Sequence, residues 1–290
     1  MSGSVLVMGA TGNVGGATLA ALRESGVDAV AFVRDPQRAA DVLGADQKLR
    51  VGDLAHAGSV AAALDGVERV LLCSGNDPAL REQQLSAVDA IASSDVQRVV
   101  KISASPVATR ADSPSRVGRD HAAVEHALRV TRREVVAIRP NVFMQSFYAQ
   151  VPAIANGVLP GPERGRVSFI DAGDIGRVAA AALIADQAPA PILELTGPQA
   201  YTWFEVAELM SSALGRPITH LPTPTDALAQ GMRALGRPEW LVEHVLELAV
   251  LMSEPKAAEV TDTVEDVTGR PPRSLTEFLT DNASAFAAAA

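Results

Sequence analysis

The chain has 290 residues, of which 48% are hydrophobic and only 4% aromatic, and its formal net charge is −9. This length suits one large domain or two small ones. A nucleic-acid partner is not expected, because binding a phosphate backbone needs clustered Lys and Arg and the chain has no basic run. A membrane span is not expected either, since no apolar stretch reaches the roughly 18 to 20 residues required.

Cysteine and histidine usage argues against a metal site. Cys73 is the one cysteine, so an internal disulfide and a multi-cysteine metal site are excluded. The five histidines are scattered and none forms an H-x-x-x-H pair, so no metal ligands are predicted. The single thiol, together with the lack of a secretion-type leader before the first strand, predicts a cytoplasmic location.

Strand and helix signals alternate through the first half of the chain. The predicted strands are Val5–Met8, Ala29–Arg34, Leu49–Leu54, Arg69–Gly75, Val96–Ser105 and Glu134–Pro140. The predicted helices are residues 14–25, Pro36–Leu43, Ser59–Gly66, Pro78–Ser94 and Ser115–Val130. Repeated β-α units of this length predict an α/β fold, a doubly wound parallel sheet (Rossmann fold) covered by helices on both faces.

After Pro140 the alternation weakens and helices dominate. We expect a helix over 141–157, a loop over Val158–Arg166, a short strand over Val167–Ile170, a helix over Asp171–Ala185 and a strand over Ile192–Gly197, then helices from Thr202, over Asp226–Leu235, over Pro238–Ser253 and over Ser274–Ala287. Residues 1–141 and 167–197 are thus predicted to form a dinucleotide-binding domain. Residues 142–166 and 198–290 would form a small, mainly helical substrate lobe.

Three glycines spaced three apart, Gly9, Gly12 and Gly15, join the first strand to the first helix. Such a turn needs residues without a Cβ for tight bending and close backbone approach, and the helix start offers free N–H groups to a phosphate. By itself the motif is equally typical of any tight β-α connection.

The residues after the second strand predict the choice of nucleotide. A dinucleotide fold selects the adenosine ribose at this point, with an acidic residue for a free 2′-hydroxyl or Arg for a 2′-phosphate. Here Arg34 ends the strand and Arg38 follows one helical turn later. We therefore expect NADP(H), although Asp35 would weaken that preference if it turned inward. The alternative is that both arginines are solvated surface charges.

The next two strand ends suit the adenine and the ribose. Asp53 and Leu54 could bracket an adenine with a carboxylate and an apolar side chain, and the small residues Ser74 and Gly75 would let a ribose lie close. Cys73 is interpreted as a small buried hydrophobic residue.

A set of motifs extends over nearly the whole chain: GATGNVGG, FVRDP, GDL, SAS, DHAAVEHAL, RPNVFMQ, DAGDIGRVAA and VTGRPPRSLTEFL. In these motifs the chain resembles the NmrA-like group of atypical short-chain dehydrogenases, which includes NAD(P)H:quinone reductases. The resemblance implies that the cofactor is lined by Gly9, Thr11, Gly12, Asn13, Val14, Arg34, Asp53, Leu54, Ser74, Ser103, Pro140 and Asn141. It also implies that Phe143, Met144 and Phe147 lie between nicotinamide and substrate.

One departure from the wider superfamily concerns its Tyr-x-x-x-Lys pair. With Glu125 placed four residues past the family's lysine, His121 takes the lysine position and Val117 the tyrosine position. His121, with Ser103, is the predicted catalytic residue: a neutral imidazole could bond the nicotinamide ribose, and a charged one could donate to the reduced acceptor. The structural alternative is a helix histidine satisfied by Glu125.

Loss of the tyrosine favours acceptors that need little acid catalysis. We expect an NADPH-dependent reductase of a small conjugated acceptor such as a quinone, an enone or an aromatic polyketide-like ketone. The alternative from another class is a non-catalytic NADP(H)-binding redox sensor that regulates a protein partner. The sequence leaves the oligomeric state unassigned.

Overall fold

Seven parallel strands form the central sheet of this protein, whose computed structural model describes residues 4–287. The chain contains β1 (Val5–Met8), β2 (Val30–Val33), β3 (Leu49–Val51), β4 (Arg69–Leu72), β5 (Arg98–Ile102), β6 (Glu134–Pro140), β7 (Val158–Gly161), β8 (Ile192–Leu195) and β9 (Thr219–Pro222). The sheet order is β3-β2-β1-β4-β5-β6-β8, with every neighbouring pair parallel. The predicted doubly wound fold is confirmed.

Helices cover both faces of this sheet, and further helices build the C-terminal lobe. The helices within residues 4–287 are α1 (Asn13–Glu24), α2 (Pro36–Leu43), α3 (Ala57–Ala63), α4 (Leu80–Ala92), α5 (Arg116–Val130), α6 (Val151–Ala155), α7 (Ala172–Ile184), α8 (Trp203–Leu214), α9 (Thr225–Ala234), α10 (Glu239–Leu251), α11 (Thr263–Thr268), α12 (Leu275–Asp281) and α13 (Ala283–Ala287). Helices α1 and α7 bury Leu22 and Val178 on one face. Helices α4 and α5 bury Val88 and Val124 on the other. Within residues 4–287, no helix combines the length and apolar character needed to cross a membrane.

A second core lies in the C-terminal lobe and is built on aromatic side chains. Phe147, Phe169 and Trp203 pack with ring centroids 5.0 to 6.0 Å apart. Beside them β7 pairs with β9, although β7 lies in the predicted loop and no strand was predicted at β9. Pro160 fits there because a two-stranded sheet has only edge strands. Gly161 fits because a Cβ would lie 2.4 Å from Cε3 of Trp203.

Two further predictions for this lobe are wrong in detail. The single helix expected over 141–157 is a 3₁₀ helix over Met144–Gln150 followed by the short α6, whose first turn contains Pro152. Proline has no N–H to continue a hydrogen-bond ladder, so it favours a new helix start. The segment over Val167–Ile170 forms isolated bridges rather than a strand.

Part of the C-terminal segment packs with the sheet rather than with the lobe. Val264 of α11 is fully buried in the core that α1 and α7 share. Helix α11 therefore belongs to the sheet layer, although the prediction placed all of 198–290 in the lobe.

Candidate active site

The candidate site lies at the carboxyl ends of the parallel strands, where the order of the sheet reverses. Strands β2 and β3 extend to one side of β1, and β4, β5, β6 and β8 extend to the other. Ligands of doubly wound sheets bind in the crevice outside such a switch point. The residues that follow β1, β4 and β5 therefore converge on this crevice.

The turn after β1 has no room for a side chain at Gly9 or at Gly15. Gly9 has a φ of +69°, and a Cβ on it would lie 2.6 Å from the carbonyl oxygen of Cys73. A Cβ on Gly15 would lie 2.2 Å from the carbonyl oxygen of Gly9. Gly12 caps α1 without a side chain to bond the first-turn N–H groups. These groups fit an anionic ligand, because the helix dipole and free N–H donors both favour negative charge there.

The side chains around this turn differ in what they can offer. Thr11 is half-buried and Asn13 is exposed, so both can reach a ligand. Val14 is 5% exposed and packs in the sheet core, so only its backbone faces the crevice.

A cleft of about 370 Å³ lies beside the turn and carries the two predicted arginines. It is lined by Thr11, Val33, Arg34, Asp35 and Arg38. The Asp35 carboxylate accepts a hydrogen bond from the backbone N–H of Arg38 at 3.1 Å and so caps α2. Because that carboxylate is engaged at the helix start, the exposed guanidinium groups dominate the cleft. Their charge and planar donors suit a phosphate.

The next two strand ends contribute small polar groups. Asp53 accepts from the backbone N–H of Ala55 at 3.0 Å, and Leu54 beside it is half-buried. Gly75 is exposed, and the hydroxyl of Ser74 accepts from Nε2 of Gln84 at 2.7 Å.

Gln84 is fully buried on α4 and was missed by the sequence analysis. The sequence pattern that could have predicted its burial is helical spacing, because Gln84 lies four residues after Leu80 and seven before Ile91 on the apolar face of the helix.

A second residue missed by the sequence analysis, Lys101, lies fully buried in β5. Alternation along the strand puts it on the same face as Val99, toward α4 and α5. Its ammonium contacts the carbonyl oxygen of Ile102 and lies 2.8 Å from Nδ1 of His121. The residue at the family's lysine position is thus joined to a lysine from another element.

Burial controls the charge of this pair. It lowers the pKa of Lys101 to about 7, against smaller opposing effects of Cys73 and Glu125. Burial and the charge of Lys101 lower the pKa of His121 well below its ordinary value of 6.5. His121 is therefore neutral at physiological pH, and the prediction that a charged imidazole is also accessible is wrong.

Within residues 4–287, Glu125 makes no hydrogen bond with His121, so the partner expected for a structural helix histidine is replaced by Lys101. The carboxylate is 2% exposed and accepts from Ser103 Oγ at 2.7 Å, from Arg129 at 2.8 Å and from Arg139 at 3.0 and 2.6 Å. Burial alone would raise the pKa of Glu125, but the hydrogen bonds of Arg139 and Ser103 outweigh it and lower the pKa. Because the Ser103 proton is directed at Glu125, its oxygen faces a ligand only as an acceptor.

Helix α10 of the lobe reaches this part of the sheet through His244. The side chain is 8% exposed, and its Nε2 lies 3.2 Å from the amide nitrogen of Asn76. Burial lowers the pKa of His244, so it too is neutral.

The residues after β6 hold the lobe instead of facing the crevice. Pro140 is buried at the end of the strand. Asn141 donates to Ser168 Oγ at 2.7 Å and to the carbonyl of Ala257 at 2.8 Å. Phe143 is half-buried against the sheet core.

Met144 and Phe147 have no exposed surface and pack in the lobe core. The structure therefore does not present them to a ligand, contrary to the prediction, because their side chains fill the aromatic core.

Three comparisons place the chain among known proteins. A family model described as the NmrA-like family matches residues 1–279. The NAD(P)H azoreductase of Xenophilus azovorans is 32% identical over 98% of this chain and 100% of its own length. The (4-alkanoyl-5-oxo-2,5-dihydrofuran-3-yl)methyl phosphate reductase of Streptomyces griseus is 29% identical over 98% and 99% of the two chains.

Among solved structures, the NADPH-dependent quinone oxidoreductase QOR2 of Escherichia coli, complexed with NADPH, superposes with a TM-score of 0.86 at 21% identity and covers 96% and 99% of the two chains. This likeness extends the agreement in fold to almost every residue of both proteins. The match to the family model spans the sheet and most of the lobe, and the chain belongs to the NmrA-like family of atypical short-chain dehydrogenases.

Proposed function

We propose that this protein is an NADP(H)-dependent reductase of a small, flat, conjugated acceptor. The observation that carries the proposal is the glycine turn at the switch point with a cleft carrying Arg34 and Arg38 directly beside it. A dinucleotide that spans the crevice would meet donors for its diphosphate and cations for a 2′-phosphate in the expected order.

Different residues around the crevice would bind different parts of this cofactor. The backbone of the turn over Gly9–Gly15 would bind the diphosphate, and the two arginines would bind the 2′-phosphate. Ser74, held by Gln84, and Ser103, held by Glu125, would bind ribose and carboxamide groups. The nicotinamide, when bound, supplies a hydride.

The class of acceptor follows from the residues at the positions of the superfamily's tyrosine and lysine. Val117, at the position of the superfamily's tyrosine, is buried and has no proton to give. The neighbouring His121 is neutral and therefore a weak acid. Such a site favours acceptors whose negative charge is delocalised after hydride addition, because these need less help from a strong acid than a simple ketone does.

The names of two relatives support an acceptor of this kind. An azo group and the oxo-dihydrofuran ring of the Streptomyces substrate both contain an electron-poor π bond. Quinones and enones share that property, and each accepts a hydride on one atom while charge spreads to another.

Nucleotide titrations of wild type and of Arg34→Ala test the cofactor. Wild type should bind NADPH more tightly than NADH, and the variant should lose about 10- to 100-fold in affinity for NADPH while its affinity for NADH changes little. Arg23→Ala, on α1 but outside the cleft, is the matched control. Equal affinity of wild type for the two nucleotides would contradict the assignment of Arg34.

Steady-state kinetics with a panel of quinones and enones test the reaction. Continuous NADPH oxidation that saturates with the acceptor is the expected result. Tight NADPH binding without turnover of any acceptor would instead favour the redox sensor and refute the reductase.

A further inference from the structure

We propose that Lys101 supplies the proton that follows the hydride, passing it through the imidazole of His121 to the reduced acceptor. This inference rests on the proposed function and concerns a lysine outside the motifs that the family resemblance used. It assigns to β5 and α5 together the proton delivery that a tyrosine performs elsewhere in the superfamily.

The hydrogen bond between the two side chains fixes the tautomer of the histidine. Lys101 Nζ is a donor, so Nδ1 of His121 at 2.8 Å accepts, and the ring proton must sit on Nε2. Within residues 4–287, Nε2 has no hydrogen-bond partner, and it is not among the fully enclosed polar atoms. The histidine therefore turns an N–H donor away from the lysine toward accessible space.

A proton can cross this pair without charging the ring. After hydride addition the acceptor is an anion. His121 gives its Nε2 proton to that anion while Nδ1 takes one from the ammonium of Lys101. The acceptor gains two electrons from the hydride and one proton from the protein, and the nicotinamide loses the hydride. Lys101 ends as a neutral amine and His121 as the other neutral tautomer, and solvent restores the ammonium between turnovers.

The surroundings of Lys101 make it the group that changes charge near neutral pH. The titratable and charged side chains around Lys101 and His121 are Cys73 after β4, Glu125 on α5, Arg139 on β6 and His244 on α10, and Glu247 and Arg116 lie near His244. Burial raises the pKa of Cys73 to about 11, so the thiol stays neutral. Glu125 stays ionised between its arginines.

Among these side chains, Lys101 is therefore the one that changes charge near pH 7, because burial brings its pKa to about 7 while the two histidines are already neutral. A proton donor poised near the working pH transfers its proton most effectively.

The first test needs no cofactor. In protein with ¹⁵N-labelled histidine, His121 should show the signals of a neutral Nε2–H tautomer, with an Nδ1 shift that changes in one step near pH 7. Lys101→Met should abolish that step, and Lys48→Met, which removes an exposed lysine, should keep it. A doubly protonated ring at pH 7, an Nδ1–H tautomer at pH 6, or a step that survives in Lys101→Met would overturn the proposal.

The second test separates proton delivery from positioning. Lys101→Arg keeps a cationic donor for Nδ1 but cannot release a proton, because guanidinium stays charged in proteins. We expect both variants to lose about 10²-fold in kcat with an enone, whose enolate is strongly basic, and at most a few-fold with a quinone, whose product anion is weakly basic. NADPH affinity should stay within about threefold, and circular dichroism confirms folding.

The outcomes of these tests are distinguishable. Equal losses with both acceptors, or full activity of Lys101→Arg with the enone, would show that Lys101 only positions His121. Wild type that reduces neither acceptor would refute the proposed function itself, and the histidine spectra would then identify the pair as a structural contact.

Discussion

Replacing Lys101 by Met should change how the stability of this protein depends on pH. The lysine is fully buried, and burial lowers its pKa from 10.5 to about 7. Between these values the unfolded chain binds the lysine proton and the folded protein does not. Stability of the wild type therefore rises as pH increases from 7 toward 10.5, and the penalty for burying the ammonium is complete below pH 7.

The size of the effect follows from the two pKa values. A shift from 10.5 to about 7 corresponds to roughly 5 kcal/mol when the lysine is fully protonated. Between pH 7 and pH 9 the folded protein releases most of this proton and the unfolded chain keeps it, so the wild type should gain about 2 kcal/mol relative to Lys101→Met. The absolute difference at pH 7 also includes the hydrogen bonds lost at Ile102 and His121, so the change with pH is the decisive quantity.

Urea denaturation followed by circular dichroism at pH 7, 8 and 9 measures this change. Lys48→Met is the matched control, because its side chain is 63% exposed and its loss removes the same charge from the surface. Carboxylates are ionised throughout this range. Free energies of unfolding for wild type and Lys101→Met that run parallel from pH 7 to pH 9 would refute the reasoning, since the lysine would then titrate alike in both states.

Two further substitutions test the local geometry. Gly15→Ala should lower the free energy of unfolding in urea by about 1 to 3 kcal/mol, because its Cβ would lie 2.2 Å from the Gly9 carbonyl oxygen. The control is Gly16→Ala in the same helix, whose Cβ would meet its nearest atom at 3.5 Å and which should be neutral or stabilising. Equal changes in the two variants would contradict the tight packing of the turn. Glu125→Gln should destabilise by about 3 kcal/mol at pH 7, because it leaves Arg139 without its buried partner. That difference should shrink as pH falls through the lowered pKa of Glu125, where the native carboxylate gains its proton, and a difference that grows toward acid pH would contradict this.

The central sheet could be predicted because each strand and the helix after it are encoded by neighbouring residues. Each apolar run before β6 is short, and each is followed by helical spacing, so the parallel order needed only the handedness of the crossovers. The pairing of β7 with β9 was not predictable in this way. Its two segments are separated by 57 residues of intervening chain from Gly161 to Thr219, and each contains proline, which in sequence indicates a loop. Tertiary packing brings them together, including that of Gly161 under Trp203 and of Leu159 with Ile218 in the lobe core.

The residues of the candidate site show the same difference between features encoded locally and features that depend on distant parts of the chain. The places of Gly9 and Arg34 beside the crevice could be predicted from sequence, because each residue lies at a strand end and the fold fixes where that strand end lies. The chemistry of His121 could not, because it depends on a partner from another strand and on burial. A lysine inside an apolar strand was visible as an anomaly in the sequence, but only the sheet shows that it faces α5, and only burial turns an ordinary ammonium into a group that titrates near pH 7. A histidine expected to titrate in the cell is instead held neutral, and the charge it was expected to carry belongs to Lys101.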